Sequence, residues 1–271
     1  LENIGNPAFN IPDYEPIVEM ARRRGICVMV DNTFGMGGYL FRPFEWGCNV
    51  SIHSATKWIC GHGTALGGVV VDGGNFDWTP EKYPLLAAPS ESYHGLVYKE
   101  VFGDAAFAGR VRVDGLRNIG PAASPFNSFL MLQGLETLSL RAERCCDNAL
   151  AVAEFLEKHP AVESVNYPGL KSNQYHDLAC KYLKNGFGGV LTFRVKGGFE
   201  AAAALVTRLE LILHVGSVGD AKSLIVHPAS TTHSQLSPEE QVAAGVYPNM
   251  LRLSVGIENV DDLIADLEAA L

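Results

Sequence analysis

The sequence has no CxxC pair and no regular cysteine spacing, which argues against a structural zinc site and against a disulfide framework. Its six cysteines (Cys27, Cys48, Cys60, Cys145, Cys146 and Cys180) read as buried or free thiols of a reducing compartment, so a cytoplasmic location is expected. No apolar run approaches the length of a membrane span. Positive charge is scarce: 21 Lys and Arg stand against 30 Asp and Glu, for a formal net charge of −9. The one basic cluster, Arg22-Arg23-Arg24, falls in the last turn of an expected helix, where cations complement the helix dipole. Nucleic-acid binding is therefore disfavoured. There is no internal repeat and no low-complexity segment. The stretch "GHGTALGG" does not fit G-x-G-x-x-G, and a strand rather than a helix follows it, so a nicotinamide-binding dehydrogenase is a weak reading. His227 and His233 lie across a proline turn with no third ligand at metal-like spacing, and no metal site is expected.

What is present suits a soluble globular chain of two domains: 271 residues, 47% hydrophobic and 19% charged. The opening "LENIGNPAFN" starts without methionine, is neither a signal nor a transit peptide, and reads like the interior of a longer protein. "IPDYEPIVEMARRRG" predicts a helix with Ile17, Met20 and Ala21 on one face and Gly25 at its end. "ICVMVD", "CNVSIHS" and "GGVVVD" read as strands, and the order of elements indicates an α/β layered sheet. Residues 72 to 122 form a long excursion rich in Gly, Pro and aromatics, with short helical pieces. From Pro125 to Lys158 the pattern is strongly helical. Beyond it, "GGVLTFRVKG", "LELILHVGS", "KSLIVHP" and "MLRLSVGIE" read as strands, with helices between them and a terminal helix capped by Asn259 or Asp261. The expected division is residues 1–135, belonging to a larger α/β domain, and residues 136–271, a smaller α+β domain.

Ligands gather at the carboxyl ends of strands in open parallel sheets. Asp31 ends one expected strand, and Lys57 follows another within "HSATKW". A lysine amine forms a Schiff base with an aldehyde, and a carboxylate keeps a pyridine nitrogen protonated. These are the two groups that pyridoxal phosphate (PLP) most needs from a protein. Ser54 and Thr56 offer hydroxyls for a phosphate. Singly, Asp31 reads as a turn residue, Lys57 as a surface cation, and Ser54 and Thr56 as turn formers, so on these residues alone a structural reading stands beside the cofactor reading. In "MLRLSVGIE" the apolar residues alternate onto one face and leave Arg252 on the other. The simplest reading is a solvated arginine. The alternative is a guanidinium fork placed for the carboxylate of an amino acid. Ser217 sits in a glycine-flanked turn that could close on a ligand.

The segments "VDNTFG", "HSATKW", "GHGT", "SPFNSFLMLQGLETLSLR", "GDAKSLIVHPASTTH" and "LRLSVGIE", in this order, resemble the Cys/Met-metabolism family of PLP-dependent enzymes. The resemblance spans essentially the whole chain. It implies the fold-type-I PLP-transferase architecture: a mainly parallel sheet flanked by helices, followed by a smaller α+β domain, with the N-terminal part of the large domain absent from this chain. It further implies a Schiff base on Lys57, pairing of Asp31 with the pyridine nitrogen, and phosphate contacts from Ser54 and Thr56. Asn6 would lie near both cofactor and substrate, and Ser217 and Arg252 would hold the substrate carboxylate. The implied reaction is γ-replacement, with sulfide displacing acetate from O-acetyl-L-homoserine to give L-homocysteine. Members acting on the succinyl ester, and the cystathionine γ-synthase and methionine γ-lyase branches, are the alternatives, with a non-catalytic scaffold further off. The family also implies a homotetramer with shared active sites, small-molecule partners only, and phosphate- and ring-binding residues ahead of residue 1. Without them an unpaired sheet edge is expected, and residues 1–271 alone are expected neither to fold stably nor to turn over substrate.

Overall fold

The computed structural model describes residues 1–271. The first sheet holds β1 (Met29–Asp31), β2 (Val50–Ser54) and β3 (Gly68–Asp72), in that order. β1 and β2 run parallel, with Asp31 beside Ile52. β3 returns antiparallel, with Gly68 beside Ser54. The segment between β2 and β3 is made of turns and contains no crossover helix, so the chain has no route to a parallel pairing there. Within this chain the sheet is therefore mixed. β3 forms its edge, and Val69, Val70 and Val71 stand 39%, 45% and 39% exposed.

Helix α1 (Tyr14–Arg23) packs beside this sheet. Its inward stripe is Tyr14, Val18 and Ala21, whereas Met20 faces solvent. The Tyr14 ring explains the rotation, because it wedges between Phe41 (4.6 Å between centroids) and Tyr182 (5.3 Å) and turns Met20 outward. Gly25, just past the helix, has φ +56°, the left-handed conformation that glycine adopts without strain.

The excursion carries short helices α2 (Pro84–Ala87), α3 (Tyr98–Phe102), α4 (Ala106–Arg110) and α5 (Arg117–Ile119) around a small core of Trp78, Leu86, Tyr98 and Ala106. The long helical stretch is two helices, α6 (Pro125–Glu136) and α7 (Leu138–Lys158), which break at Thr137. α7 serves two cores. Leu138, Ala142 and Cys146 join the core of the first sheet, and Ala149, Val152, Ala153 and Leu156 join that of a second.

The second sheet runs β4-β5-β8-β7-β6, from β4 (Val162–Asn166), β5 (Val190–Val195), β6 (Leu213–His214), β7 (Leu224–Val226) and β8 (Met250–Ser254). Its pairings are antiparallel except β6 with β7. Around it lie α8 (His176–Tyr182), α9 (Gly198–Arg208), α10 (Pro238–Ala243) and α11 (Val260–Ala270). Leu205 of α9 and Leu263 and Leu267 of α11 pack with Leu251 and Leu253 of β8. Asn259 caps α11 by accepting the Asp261 N–H at 2.9 Å. No helix is long and apolar enough to cross a membrane.

Candidate active site

The ends of β1 and β2 are tied before any side chain reaches outward. An Asp31 carboxylate oxygen accepts the Thr33 N–H at 2.9 Å, a tight local turn, and the Thr33 hydroxyl accepts the Ser54 N–H at 2.8 Å. Beyond Ser54 the chain coils: Lys57 N–H donates to Ser54 C=O at 3.2 Å, Cys60 N–H to Ala55 C=O at 2.9 Å, and Gly61 N–H to Lys57 C=O at 2.7 Å. Ala55, Trp58 and Cys60 go into the protein and Lys57 is left on the cavity side. The hydrophobic neighbours of Lys57 in sequence therefore anchor the turn that presents it.

The loop carrying Ser217 is stapled to the same turn. Ala221 N–H donates to Gly61 C=O at 2.8 Å, and Gly219 N–H donates to the Ser254 hydroxyl at 3.0 Å. Gly219 has φ +75°, and a Cβ placed on it would lie 2.9 Å from the Trp58 backbone nitrogen. Only glycine allows that approach. As a result the Lys57 amine donates to the Ser217 hydroxyl at 2.9 Å across 160 positions of sequence.

Arg252 is buried on β8, between β5 and β7, so the expectation of a solvated arginine does not hold. Its Nη1 donates to the Asn6 side-chain oxygen at 3.3 Å, while its buried Nε has no protein partner. An unpartnered buried donor of a charged group is costly unless something answers it. Burial lowers the pKa of Arg252, and burial together with the Arg252 charge lowers that of Lys57.

A cavity of about 410 Å³ brings together Asn6, Asp31, Ser54, Lys57, Ser217 and Arg252. Thr56 is not on its wall. The Thr56 hydroxyl accepts the Gly67 N–H at 3.1 Å and donates to the Gly67 C=O at 3.3 Å, bracing the loop behind Lys57. Thr33, Phe34 and Thr232, which the sequence did not single out, also line the cavity, as does His233, which it raised only as a metal ligand and set aside. Thr33 and Phe34 directly follow Asp31, and that adjacency was their available signal. The two histidines first considered as metal ligands are separated in role. His227 is fully buried, its Nδ1 2.9 Å from Ser230 Oγ and its Nε2 2.7 Å from Pro248 C=O, whereas His233 faces the cavity.

The Cys/Met metabolism PLP-dependent enzyme family matches this sequence over residues 1–271. The chain belongs to that family. It is 56% identical over 271 residues to O-acetyl-L-homoserine sulfhydrylase 1 of Thermus thermophilus, covering 100% of this chain and 64% of that one. It is 53% identical over 273 residues to the homocysteine synthase of Schizosaccharomyces pombe, with the same coverage of each. A crystal structure of a Campylobacter jejuni protein named as an O-acetylhomoserine (thiol)-lyase, carrying N'-pyridoxyl-lysine-5'-monophosphate, superposes with a TM-score of 0.95 at 42% identity, over 100% of this chain and 64% of that one. The fold is thus that of the fold-type-I PLP enzymes, and the chain spans about 64% of the length of these relatives. The cavity's own chemistry fits a phosphorylated pyridine aldehyde bound with an amino acid: an amine, a carboxylate, a hydroxyl and an orphaned guanidinium donor face one space.

Proposed function

We propose that the intact protein is a PLP-dependent O-acetylhomoserine sulfhydrylase, replacing the acetate of O-acetyl-L-homoserine with sulfide to give L-homocysteine and acetate. The observation that carries this reading is the Lys57 amine, 2.9 Å from Ser217 Oγ in the cavity that also holds Asp31 and the unpartnered Nε of Arg252. Lys57 would hold the cofactor covalently and Asp31 would pair with its ring nitrogen. Ser54 would meet the phosphate, joined by Thr56 if the latter gives up its contact with Gly67. Bound there, PLP supplies an electron sink for negative charge developing on the substrate carbons beside it.

The remaining work falls to the chain's own groups. Burial beside Arg252 lowers the Lys57 pKa and so enlarges the fraction of free amine. That favours Lys57 first as a nucleophile and then as the base that moves protons at Cα and Cβ. Arg252, steadied by Asn6, presents its fork to the substrate carboxylate, with Ser217 as a further donor. Buried between β5 and β7, Arg252 is screened from water, which strengthens that contact. We place the protein in the cytoplasm as a homotetramer, in keeping with its six unpaired cysteines and its family.

The test is the visible spectrum of the intact protein with PLP before and after borohydride, with peptide mapping of the adduct. Acetyl and succinyl esters are then assayed with sulfide or cysteine. The proposal requires fixation on Lys57 and a preference for the acetyl ester with sulfide. Fixation elsewhere refutes the role of Lys57, and a preference for succinyl ester or cysteine moves the protein to another γ-acting branch.

A further inference from the structure

With Lys57, Ser217, Asn6 and Arg252 committed to the amine and carboxylate of an amino acid, the substrate's side chain has the rest of the cavity wall to meet. Most of that wall offers no donor. Ile4, Phe34, Gly216 and Val218 are apolar, and Glu2 presents a carboxylate that already accepts the Asn6 N–H at 2.9 Å. The Thr33 hydroxyl, which accepts the Ser54 N–H, stands at the Asp31 end. Away from that end the polar side chains left on the wall are Thr232 and His233.

Both sit on an irregular segment after β7 that is nonetheless held firmly. His233 N–H donates to Pro228 C=O at 3.0 Å, and its own carbonyl accepts Leu236 N–H at 3.0 Å and the Gln241 side-chain amide at 2.9 Å. The same amide donates to Ala229 C=O at 3.1 Å. Gln241 lies on α10, whose start is set by a reciprocal cap between Ser237 and Glu240. His233 Nδ1 is 2.9 Å from the Thr232 hydroxyl, while Nε2 has no protein partner. When the hydroxyl donates to Nδ1, the ring proton resides on Nε2, free to meet a ligand.

We propose that Thr232 and His233 form the subsite for the ester group of the substrate, receiving a short O-acyl group on homoserine. The inference rests on the reading of the cavity given above. As the ester leaves, Lys57 takes a Cβ proton and the C–H electron pair becomes the Cβ–Cγ double bond. The Cγ–O bond breaks with its electron pair on oxygen, and the acyloxy group departs as a carboxylate that needs no proton. Charge grows on the ester oxygens during that step, so the His233 Nε2–H, oriented through Nδ1 by the Thr232 hydroxyl, holds the developing carboxylate more tightly than the ester.

The test uses the intact, PLP-loaded protein with O-acetyl-L-homoserine and with L-norleucine, which has a comparable chain and no ester. In His233→Ala and Thr232→Val, kcat/KM for the ester should fall about five- to tenfold, the effect of one lost hydrogen bond. The norleucine dissociation constant, read by absorbance titration, should stay unchanged, and His233→Gln, which keeps a donor, should recover most of the loss. Equal weakening for ester and norleucine would make His233 a structural residue and overturn the subsite, as would no change for either. A wild-type protein that releases no thiol product from acetyl or succinyl ester would instead sink the underlying reading, and the subsite with it.

Discussion

Replacing Gly134 by alanine sets two opposed effects of known size against each other. Gly134 lies inside α6, where alanine is favoured over glycine by about 0.8–1.0 kcal/mol. A Cβ there, however, would lie 2.2 Å from the Cys60 carbonyl oxygen and 2.6 Å from that of Ile59. Comfortable carbon–oxygen contacts are more than about 3 Å, so the helix or the loop must shift by about 1 Å. Neither is free to do so cheaply. The obstructing atoms are backbone, and buried Arg141 donates to the Gly134 carbonyl at 2.6 Å and to Thr137 Oγ1 at 3.1 Å. Overpacking of this kind costs about 1–3 kcal/mol, so once the helix gain is subtracted the net expectation is a destabilisation of up to about 2 kcal/mol. Ile59 and Cys60 close the turn that presents Lys57, so borohydride-fixed PLP on Lys57 should also fall in yield. The assay is denaturant unfolding of the intact protein alongside Gly115→Ala, where an added Cβ meets nothing within 4 Å. If Gly134→Ala is as stable as Gly115→Ala, α6 does not bear on the lysine turn as described.

Three other perturbations bear on the same site. In cofactor-free protein, Lys57→Met removes a charge that burial disfavours. The native lysine titrates below its ordinary value of 10.5, so the folded state binds fewer protons than the unfolded state between the two values and wild-type stability rises with pH there. The advantage of Lys57→Met measured by thermal unfolding should therefore be largest at neutral pH and shrink as pH approaches 10.5; a constant difference would argue against a desolvated amine. Arg252→Lys keeps the charge and loses the fork, and should raise KM for the amino-acid substrate about tenfold with a smaller change in kcat, as steady-state kinetics would register. Glu258→Gln should cost about 1 kcal/mol in denaturant unfolding, because the carboxylate accepts both the Ser223 N–H (2.6 Å) and its hydroxyl (2.9 Å) beneath the Ser217 loop.

Much of the first sheet was legible because its strands are short, apolar and punctuated: Asp31 and Ser54 fall at strand ends, as "ICVMVD" and "CNVSIHS" indicated. β4 escaped because its register shifts between Val162 and Ser164, which breaks the two-residue alternation on which strand recognition depends. Met20 was misplaced for a related reason. Helical periodicity gives several candidate stripes, and the Tyr14 ring, packed between two residues distant in sequence, chose among them.

Arg252 makes the deeper point. Alternation along β8 correctly separated its apolar face from its polar one, yet it carried no information about what the polar face meets. β8 is interior to its sheet and all five of its residues are buried, so the polar face meets a cavity and not water. The same ambiguity hid Thr232 and His233, whose position depends on a side-chain amide from the following helix. In the other direction it obscured Thr56, which looked equivalent to Ser54 until the return of the chain at Gly67 claimed its hydroxyl. A sequence pattern reports which residues avoid the core. Whether they avoid it for solvent, for a ligand or for another stretch of backbone is decided by contacts made far along the chain, and that is where Lys57 finds Ser217.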